Sequence, residues 1–504
     1  MYKRSKQYPD ALRVAVRAYN DVWVKECFDE CNDEVIQKQM AFILGRARSS
    51  FTYETNETVN ELIGNSTLSE NYLALARELD VMDVKTPEDI YKSHLSETGS
   101  TARSRDRGTV DSARHNLAST FVNAFVNAGY GSDKLMTPEG NAWVYKNKEV
   151  GMTSAAASLG MILLWDVDEG LTQIDKFLYS GEDYVKAGAC LAIGIVSSGI
   201  RNDCDPALAL LSEQVESTNK TIKASACAAL GMAYGGSARV DVADVLVPIV
   251  ENNEEDMQEV GLAALSLGLV FVSTCDEDVG STLMQRLMES SDAELNHTMS
   301  RYLALALGLL FLGQQEKADA MLEVVKTVEH PMGKYAAITL QACAYAGTGN
   351  VLQVQHLLHT CAEHLEDNAS HQSVAVLGIA LVTMGESIGT EMAVRALDHF
   401  LQYGELPVRR AVPLALSLLY LSNPDFTIVD TLSRLTHDTD LEVAAGATLA
   451  LGLVSAGTNN SRVAGLLRQL SEFYHREANN LFMVRIAQGL LHMGKVTFYI
   501  TKKE

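Results

Sequence analysis

YVKAGACLAIGIVSSG (184–199) and TIKASACAALGMAYGG (221–236) decide the fold. Both run through small apolar residues to a glycine, Gly194 or Gly231, and five residues later reach a second one, Gly199 or Gly236. The same text recurs along the chain. The first glycine reappears as Gly160, Gly268, Gly308, Gly378, Gly452 and Gly489, and successive gaps are 34, 37, 37, 40, 70, 74 and 37 residues. The two long gaps are double periods. Near their midpoints stand Ala342 in ITLQACAYAG and Ser417 in VPLALSLLY, where the glycine is replaced and the pattern continues. The second glycine recurs at Gly313, Gly347, Gly457 and Gly494. Ten units of one period, from about residue 150 to 495, define a repeat array, in which each unit packs only on its neighbours and the product is surface rather than chemistry.

Each unit has one grammar. A helix of Ala, Gly, Ser and Leu leads, a turn at the second glycine follows, and an ordinary amphipathic helix closes it, as in ALALLSEQV (207–215), VADVLVPIV (242–250) and SRVAGLLRQLSEFY (461–474). Glycine inside a helix costs ~1 kcal/mol against alanine. Its recurrence at one place therefore implies helices that approach closely there. Small residues on one helix and large ones on its partner make a wedge, and stacked wedges curve. The expectation is a tightly curved all-α solenoid; its closure on itself does not follow from periodicity alone.

The bulk numbers agree. A single compact core does not extend over 504 residues, whereas a solenoid does. A formal net charge of -23 argues against nucleic acid, whose phosphates need clustered Lys and Arg, and suits basic protein partners. No apolar run approaches the ~18 residues of a membrane span, and the N-terminal text MYKRSKQYPDALRVAVRAYN lacks a signal-peptide core. Cys190, Cys227 and Cys343 lie among Ala and Leu, as small buried apolar groups of a protein from a reducing compartment, cytosol or nucleus.

Ahead of the repeats, residues 1–82 form an N-terminal helical region. ALRVAVRAYNDVWVKECF (11–28) sets Leu12, Val16 and Tyr19 on one stripe; IQKQMAFILGRARSSF (36–51) and ENYLALARELDVM (70–82) follow. Residues 83–112 are polar and read as a linker or loop. Residues 113–149 form a helical lead-in, 150–495 the repeats and 496–504 a tail.

These units resemble the proteasome/cyclosome repeats of the large non-ATPase scaffold subunits of the 26S proteasome regulatory particle, and most of all the smaller scaffold. The resemblance rests on SARHNLASTFVNAFVNAGYGSDKLM (112–136), WVYKNKEVGMTSAAASLG (143–160), RYLALALGLLFLGQQE (301–316), DTLSRLTHDTDLEVA (430–444), GTNNSRVAGLLRQL (457–470) and NNLFMVRIAQGLLHMGK (479–495), and covers nearly the whole chain. It implies repeats closed into a toroid. It also implies a non-catalytic scaffold, cytoplasmic and nuclear, that contacts ATPase coiled coils and docks ubiquitin, shuttle receptors with ubiquitin-like domains, and a deubiquitinase. Members of the family are longer at both ends, so the chain is expected to be a fragment, a truncated gene model or a short isoform.

Two patches are implied by the resemblance. The ubiquitin patch follows TCDED (274–278), where Asp278, Gln285 and Glu289 take the matching polar positions and Thr282 lies between them. Offsets of 0, 7 and 11 residues put the three on one helical stripe, with Leu283 and Leu287 toward the core. Gln285 stands where an acid would strengthen the pattern. The deubiquitinase patch falls in LLWDVDEGLTQIDKFL (163–178), at Val167, Asp168, Thr172 and Gln173, with Glu169 in register if the segment is one residue longer than the family's. The plain alternatives are a solvated helix face and an acidic helix N-terminus.

Other signals are thin. His356 and His359 have metal-ligand spacing near Cys361 and His364, without a second ligand pair at zinc-site spacing. Cys27 and Cys31 stand i, i+4; GYGSD (129–133) lacks the GK[ST] and the strand of a phosphate loop and ends a helix. No nucleophile elbow or HExxH is present, and no cofactor is expected. The rival architecture is a helical-repeat adaptor of HEAT type, whose units are longer and lack the fixed glycine.

Overall fold

The computed structural model describes residues 2–494 except 19, 50, 54, 92–111, 138–141, 203 and 366–369; the tail expected at 496–504 lies outside the described residues. Among the described residues the regular elements are all helical.

Ten small-residue helices follow one another as the inner members of the repeats: Val150–Ile162, Asp183–Val196, Lys220–Ala233, Met257–Val270, Arg301–Leu310, Pro331–Ala344, Ser370–Thr383, Leu406–Leu419, Leu441–Val454 and Ala478–Leu491. Each packs on the next. The glycines set the spacing. A Cβ on Gly160 would lie 2.7 Å from Ala192 Cα, one on Gly194 2.6 Å from Ala229 Cα, and one on Gly268 2.6 Å from Ala306 Cα. Ordinary carbon–carbon contact is ~3.5–4.0 Å, so backbone meets backbone only because the side chain is missing. Where glycine is replaced, the substitutes are small and buried, Ala342 and Ser417, and Ser417 Oγ donates to Leu414 O at 2.7 Å.

Ring closure needs one helix more than the period supplied. Ser112–Val126, expected as a lead-in, packs on Val150–Ile162 on one side and on Ala478–Leu491 on the other. The same device operates at the joint: a Cβ on Gly489 would sit 3.0 Å from Val122 Cγ2. Among the described residues the toroid is thus a circle of eleven inner helices, the eleventh drawn from residues ahead of the repeats.

The turns bind consecutive units. Helix C-termini leave backbone carbonyls without intrahelical donors. Here the turn of one unit supplies them to the next: Gly236 N and Ala238 N donate to Leu269 O and Val270 O at 2.8 and 2.9 Å, and Gly347 N and Gly349 N to Leu381 O and Val382 O at 2.8 Å each. Gly129 N and Gly131 N reach Met161 O and Ile162 O at 3.0 and 2.9 Å, so the closing helix joins the same ladder. Gly236 adopts φ 78°, which explains a glycine at that place.

Outside this circle lie the amphipathic helices, including Val167–Leu178, Val240–Glu251, Glu277–Glu289, Val351–Ala362, Ser387–Tyr403, Phe426–Leu435 and Ser461–Phe473. Their large side chains, such as Ile174, Leu246, Leu283, Leu357 and Leu467, fill one continuous core against the inner helices. The extra segment Asp292–Leu295, before Arg301–Leu310, accounts for the 40-residue gap.

Ahead of the ring, the helices Tyr8–Arg17, Asp21–Glu30, Glu34–Arg46 and Glu57–Gly64 share a core around Leu12, Phe28, Met40 and Leu44, while Leu68–Glu78 packs Ala76 against Tyr130. The stretch read as one periodic run, 11–28, is two helices, Tyr8–Arg17 and Asp21–Glu30. Asn20 separates them: its side chain accepts from Trp23 N at 3.0 Å and starts the second. This unit rests on the turns of the ring. Arg48 donates to Ser198 Oγ at 3.1 Å, Asn65 Nδ2 to Gly199 O at 2.9 Å, and Arg201 N to Gly64 O at 2.8 Å.

The linker expected at 83–112 is corrected at both ends. Pro87–Tyr91 is helical and buries Pro87, Ile90 and Tyr91, packing on the closing helix and on Ala478–Leu491, with the Arg485 guanidinium 3.9 Å from the Tyr91 ring. Ser112 begins the closing helix, and 92–111 lie outside the described residues. Ile90 and Tyr91 join Val122 and Val126 of the closing helix in one apolar cluster.

Candidate functional site

The helix Glu277–Glu289 carries the first patch. Asp276 caps it, accepting from Val279 N at 3.0 Å, and Val279, Leu283, Met284 and Leu287 bury one side. The opposite side presents Asp278, Gln285 and Glu289 to solvent, with Thr282 half-buried between them, as the spacing predicted. Gln285 Nε2 donates to Glu289 Oε1 at 2.8 Å. Thr282 Oγ1 lies 3.4 Å from Glu251 Oε1, so the preceding outer helix adds a carboxylate to the stripe. The exposed Met288 stands beside Glu289. Neither Glu251 nor Met288 was identified from sequence. Glu251 belongs to another repeat, 31 residues before Thr282, and only the stacking of units brings it here.

A buried charge fixes this helix. Arg286 is 2 % exposed, donates to Glu294 Oε1 at 2.8 Å and also reaches the Asn253 side-chain oxygen. Glu294 in turn accepts from Ser291 Oγ at 2.7 Å, and hydrogen bonds from Ser291, together with Arg286, hold its carboxyl below the usual range. The stripe therefore projects from a helix tied to the loops on both sides. A preorganised face of this kind loses little entropy on binding.

Next to it sits an unusual carboxyl. Glu259 is 3 % exposed at the start of Met257–Val270 and its carboxylate accepts from Asp256 N at 3.3 Å. Burial, then the neighbouring Glu255, pushes it up to about 7. Glu255 moves the other way, lowered by its hydrogen bond with Glu259 and by Lys223 at 2.5 Å.

The second patch lies on Val167–Leu178. Asp166 caps it, accepting from Glu169 N at 3.2 Å. Asp168, Glu169 and Thr172 are exposed, Gln173 is half-buried, and Thr172 Oγ1 donates to Asp168 O at 3.1 Å. Asp168 pairs with Thr172 and Glu169 with Gln173, each i, i+4, so both registers offer an acid and a polar partner on adjacent stripes. Val167 is corrected: it is buried, 9 % exposed, because the first helical turn lies over the preceding inner helix and draws its apolar side chain into the core.

The thin signals resolve as packing. Cys361 is buried while His364 is exposed and meets Glu405 Oε1 at 3.0 Å, so His356, His359, Cys361 and His364 do not converge. Among the described residues no group of three or more His, Cys, Asp or Glu could hold a metal ion. Cys27 and Cys31 are both buried. Burial pushes the thiols of Cys190, Cys227 and Cys343 up to about 12, the behaviour of packing groups rather than nucleophiles. Asp133 of the GYGSD turn accepts from Leu135 N at 2.9 Å and Thr137 N at 2.7 Å, using up the amides a phosphate would need. No described helix is long and apolar enough to cross a membrane.

Comparison with known proteins agrees with this architecture. The family described as RPN1 N-terminal domain matches residues 1–96, and the proteasome/cyclosome repeat matches 188–224 and 446–476. Among curated relatives, the 26S proteasome non-ATPase regulatory subunit 2 of Dictyostelium discoideum is 47% identical over 99% of this chain and 55% of its own length. The 26S proteasome non-ATPase regulatory subunit 2 homolog A of Arabidopsis thaliana is 49% identical over 98% of the chain and 57% of its own length. The 26S proteasome regulatory subunit rpn1 of Schizosaccharomyces pombe is 48% identical over 99% and 56%. The chain thus spans little more than half the length of these relatives. With its repeats closed by backbone-to-backbone helix contacts and its N-terminal helices seated on the ring's turns, the chain belongs to the family of 26S proteasome non-ATPase regulatory subunit 2 proteins.

Proposed function

We propose that the chain is a non-catalytic docking scaffold of the 26S proteasome regulatory particle, in cytoplasm and nucleus, that holds ubiquitin-bearing partners near the ATPases. The observation that carries this reading is the exposed Asp278–Gln285–Glu289 stripe on a helix anchored by Arg286. A ubiquitin fold offers an apolar face edged with basic residues. Met288 supplies an apolar contact, and Asp278, Glu289 and Glu251 the opposite charges. The same face suits ubiquitin-like domains of shuttle receptors. The Asp168, Glu169, Thr172 and Gln173 surface, three outer helices earlier, would take the ubiquitin-like domain of a deubiquitinase. ATPase coiled coils complete the partner set.

Each contact is weak, since exposed charge pairs contribute ~0–1 kcal/mol. Two such sites on one rigid ring raise effective concentration, and avidity exceeds either affinity. The test is an NMR titration of labelled ubiquitin, and separately of a ubiquitin-like domain, with the wild-type chain and with Asp278→Ala/Glu289→Arg. Perturbation of ubiquitin's apolar face that vanishes in the variant supports the reading. A folded wild-type chain that leaves ubiquitin unperturbed rejects the receptor role.

A further inference from the structure

The turn that follows an inner helix passes through a left-handed residue, five places beyond the helix glycine or its substitute. Glycine stands there at Gly199 (φ 78°), Gly236 (78°), Gly313 (72°), Gly347 (70°) and Gly457 (70°), and serine at Ser273 (64°) and Ser422 (53°). In the first repeat the place belongs to Trp165, at φ 70°. Glycine enters that region freely, whereas a bulky side chain there is an outlier. Such strain persists only where the surroundings impose it, and it gathers where function needs a fixed geometry.

What imposes it comes from outside the ring. Tyr72, on the helix Leu68–Glu78, meets the Trp165 ring edge to face, centroids 5.4 Å apart at 75°, a favoured aromatic geometry. Tyr72 is itself held by the turn of the closing helix. Its hydroxyl donates to Ala128 O at 3.3 Å, and a Cβ on Gly129 would lie 3.1 Å from its ring, so glycine makes room for it. Tyr72, Leu75 and Leu79 pack with Tyr130 in a cluster apart from the main core. On its other side Trp165 leads directly into Asp166, whose side chain accepts from Glu169 N at 3.2 Å and starts Val167–Leu178. The backbone direction at Trp165 therefore sets the first helical turn, which carries Asp168 and Glu169, and through it Thr172 and Gln173 one turn on. The first patch has a parallel. Its helix follows the left-handed Ser273, held by a bond from its Oγ to Leu312 O at 2.8 Å and by Gln314 Nε2 donating to Ser273 O at 2.8 Å. There the neighbouring repeat does the holding; at Trp165 the N-terminal helices do.

We propose that Tyr72 and Trp165 are positioning residues of the second docking surface: through this pair the N-terminal region fixes the left-handed turn and so the presentation of Asp168, Glu169, Thr172 and Gln173 to a partner. The inference rests on the docking role proposed above for that surface. A helix start held in advance loses less freedom when a partner binds. The coupling is reciprocal, so a partner seated on Val167–Leu178 steadies Leu68–Glu78 in return.

The probe is the ubiquitin-like domain of a deubiquitinase, titrated by calorimetry into the 504-residue chain, with hydrogen exchange followed in the free and saturated chain. Asp168→Arg/Gln173→Arg marks the surface and should abolish binding. Trp165→Gly installs the residue that Gly199 and Gly236 carry at the same place, so circular dichroism should match wild type. Binding should nevertheless weaken about five- to twentyfold, and exchange over 165–175 should accelerate. Tyr72→Ala should do the same. Tyr72→Phe, which keeps the ring and gives up only the bond to Ala128 O, should bind within about twofold of wild type. Ubiquitin binding at Glu277–Glu289 should be equal in all these chains, a control that general damage would move. Saturation with the domain should slow exchange over 68–78. Full-strength binding by Trp165→Gly and Tyr72→Ala, or exchange over 68–78 indifferent to saturation, would overturn the positioning role and leave the docking reading intact. A domain that does not bind, or binds regardless of Asp168→Arg/Gln173→Arg, would overturn the docking reading and the positioning role with it.

Discussion

Replacing Gly194 with alanine should destabilise the ring, although alanine is the better helix former by ~1 kcal/mol. A Cβ at Gly194 would lie 2.6 Å from Ala229 Cα, 2.5 Å from Ala229 O and 2.9 Å from Ala229 C. All three are backbone atoms, so no rotamer relieves the contact. The helix cannot retreat either, because a Cβ on Gly160 would already be 2.7 Å from Ala192 Cα on its other side. Overpacking of this kind costs about 1–3 kcal/mol. After the helix-propensity gain of about 1 kcal/mol, the net loss is about 0–2 kcal/mol. Gly465, midway along Ser461–Phe473, has nothing within 4 Å of its Cβ position, so Gly465→Ala should stabilise by about 0.5–1 kcal/mol. A repeat array of this length spreads such changes over a large unfolding entropy, and a melting temperature would barely register them. Hydrogen exchange of peptides covering 183–196 and 220–233 reads them locally. Gly194→Ala should accelerate exchange there by up to about 30-fold, and Gly465→Ala should slow it around 461–473. Unchanged or slower exchange in Gly194→Ala would refute the close-approach explanation of the glycine period.

Gln285→Glu should strengthen binding of a ubiquitin fold two- to five-fold at low salt, the gain fading as salt rises, which calorimetry at two ionic strengths would show. Arg286→Leu leaves Glu294 without its buried partner and should cost about 3 kcal/mol locally, with faster exchange over 277–296. Glu259 sets a pH dependence of definite sign. Its folded value, about 7, lies above the usual carboxyl value, so the folded chain holds a proton that the unfolded chain releases. Stability therefore falls as pH rises from about 4.5 to 7 and flattens above. Glu259→Gln should be more stable than wild type at pH 8 by about 1–3 kcal/mol, the difference shrinking toward pH 5, in denaturant titrations at both values.

Periodicity carried most of the architecture, because the glycine rows act through contact between sequence neighbours one repeat apart. Ten inner helices and the turn glycines were legible from spacing, whereas Asp278, Gln285 and Glu289 were picked out by the resemblance and helical geometry only set them on one face. What escaped the sequence depends on closure. Ser112–Val126 lacks the period and reads as a lead-in, yet Val122 supplies the surface against which Gly489 packs. Tyr91 looked like linker text, and only the fold brings it over Arg485. Glu251 joins the stripe from a neighbouring unit, and Val167 leaves its expected patch because the turn before it directs it inward.

Ring closure turns stacked hairpins into a platform of fixed dimensions, and small-angle scattering measures it directly. The wild-type chain should give the compact pair-distance distribution of a closed ring. Val122→Asp, at a fully buried side chain of the closing joint, should lengthen its maximum dimension. An elongated wild-type profile, unchanged by Val122→Asp, would show an open superhelix and contradict the account.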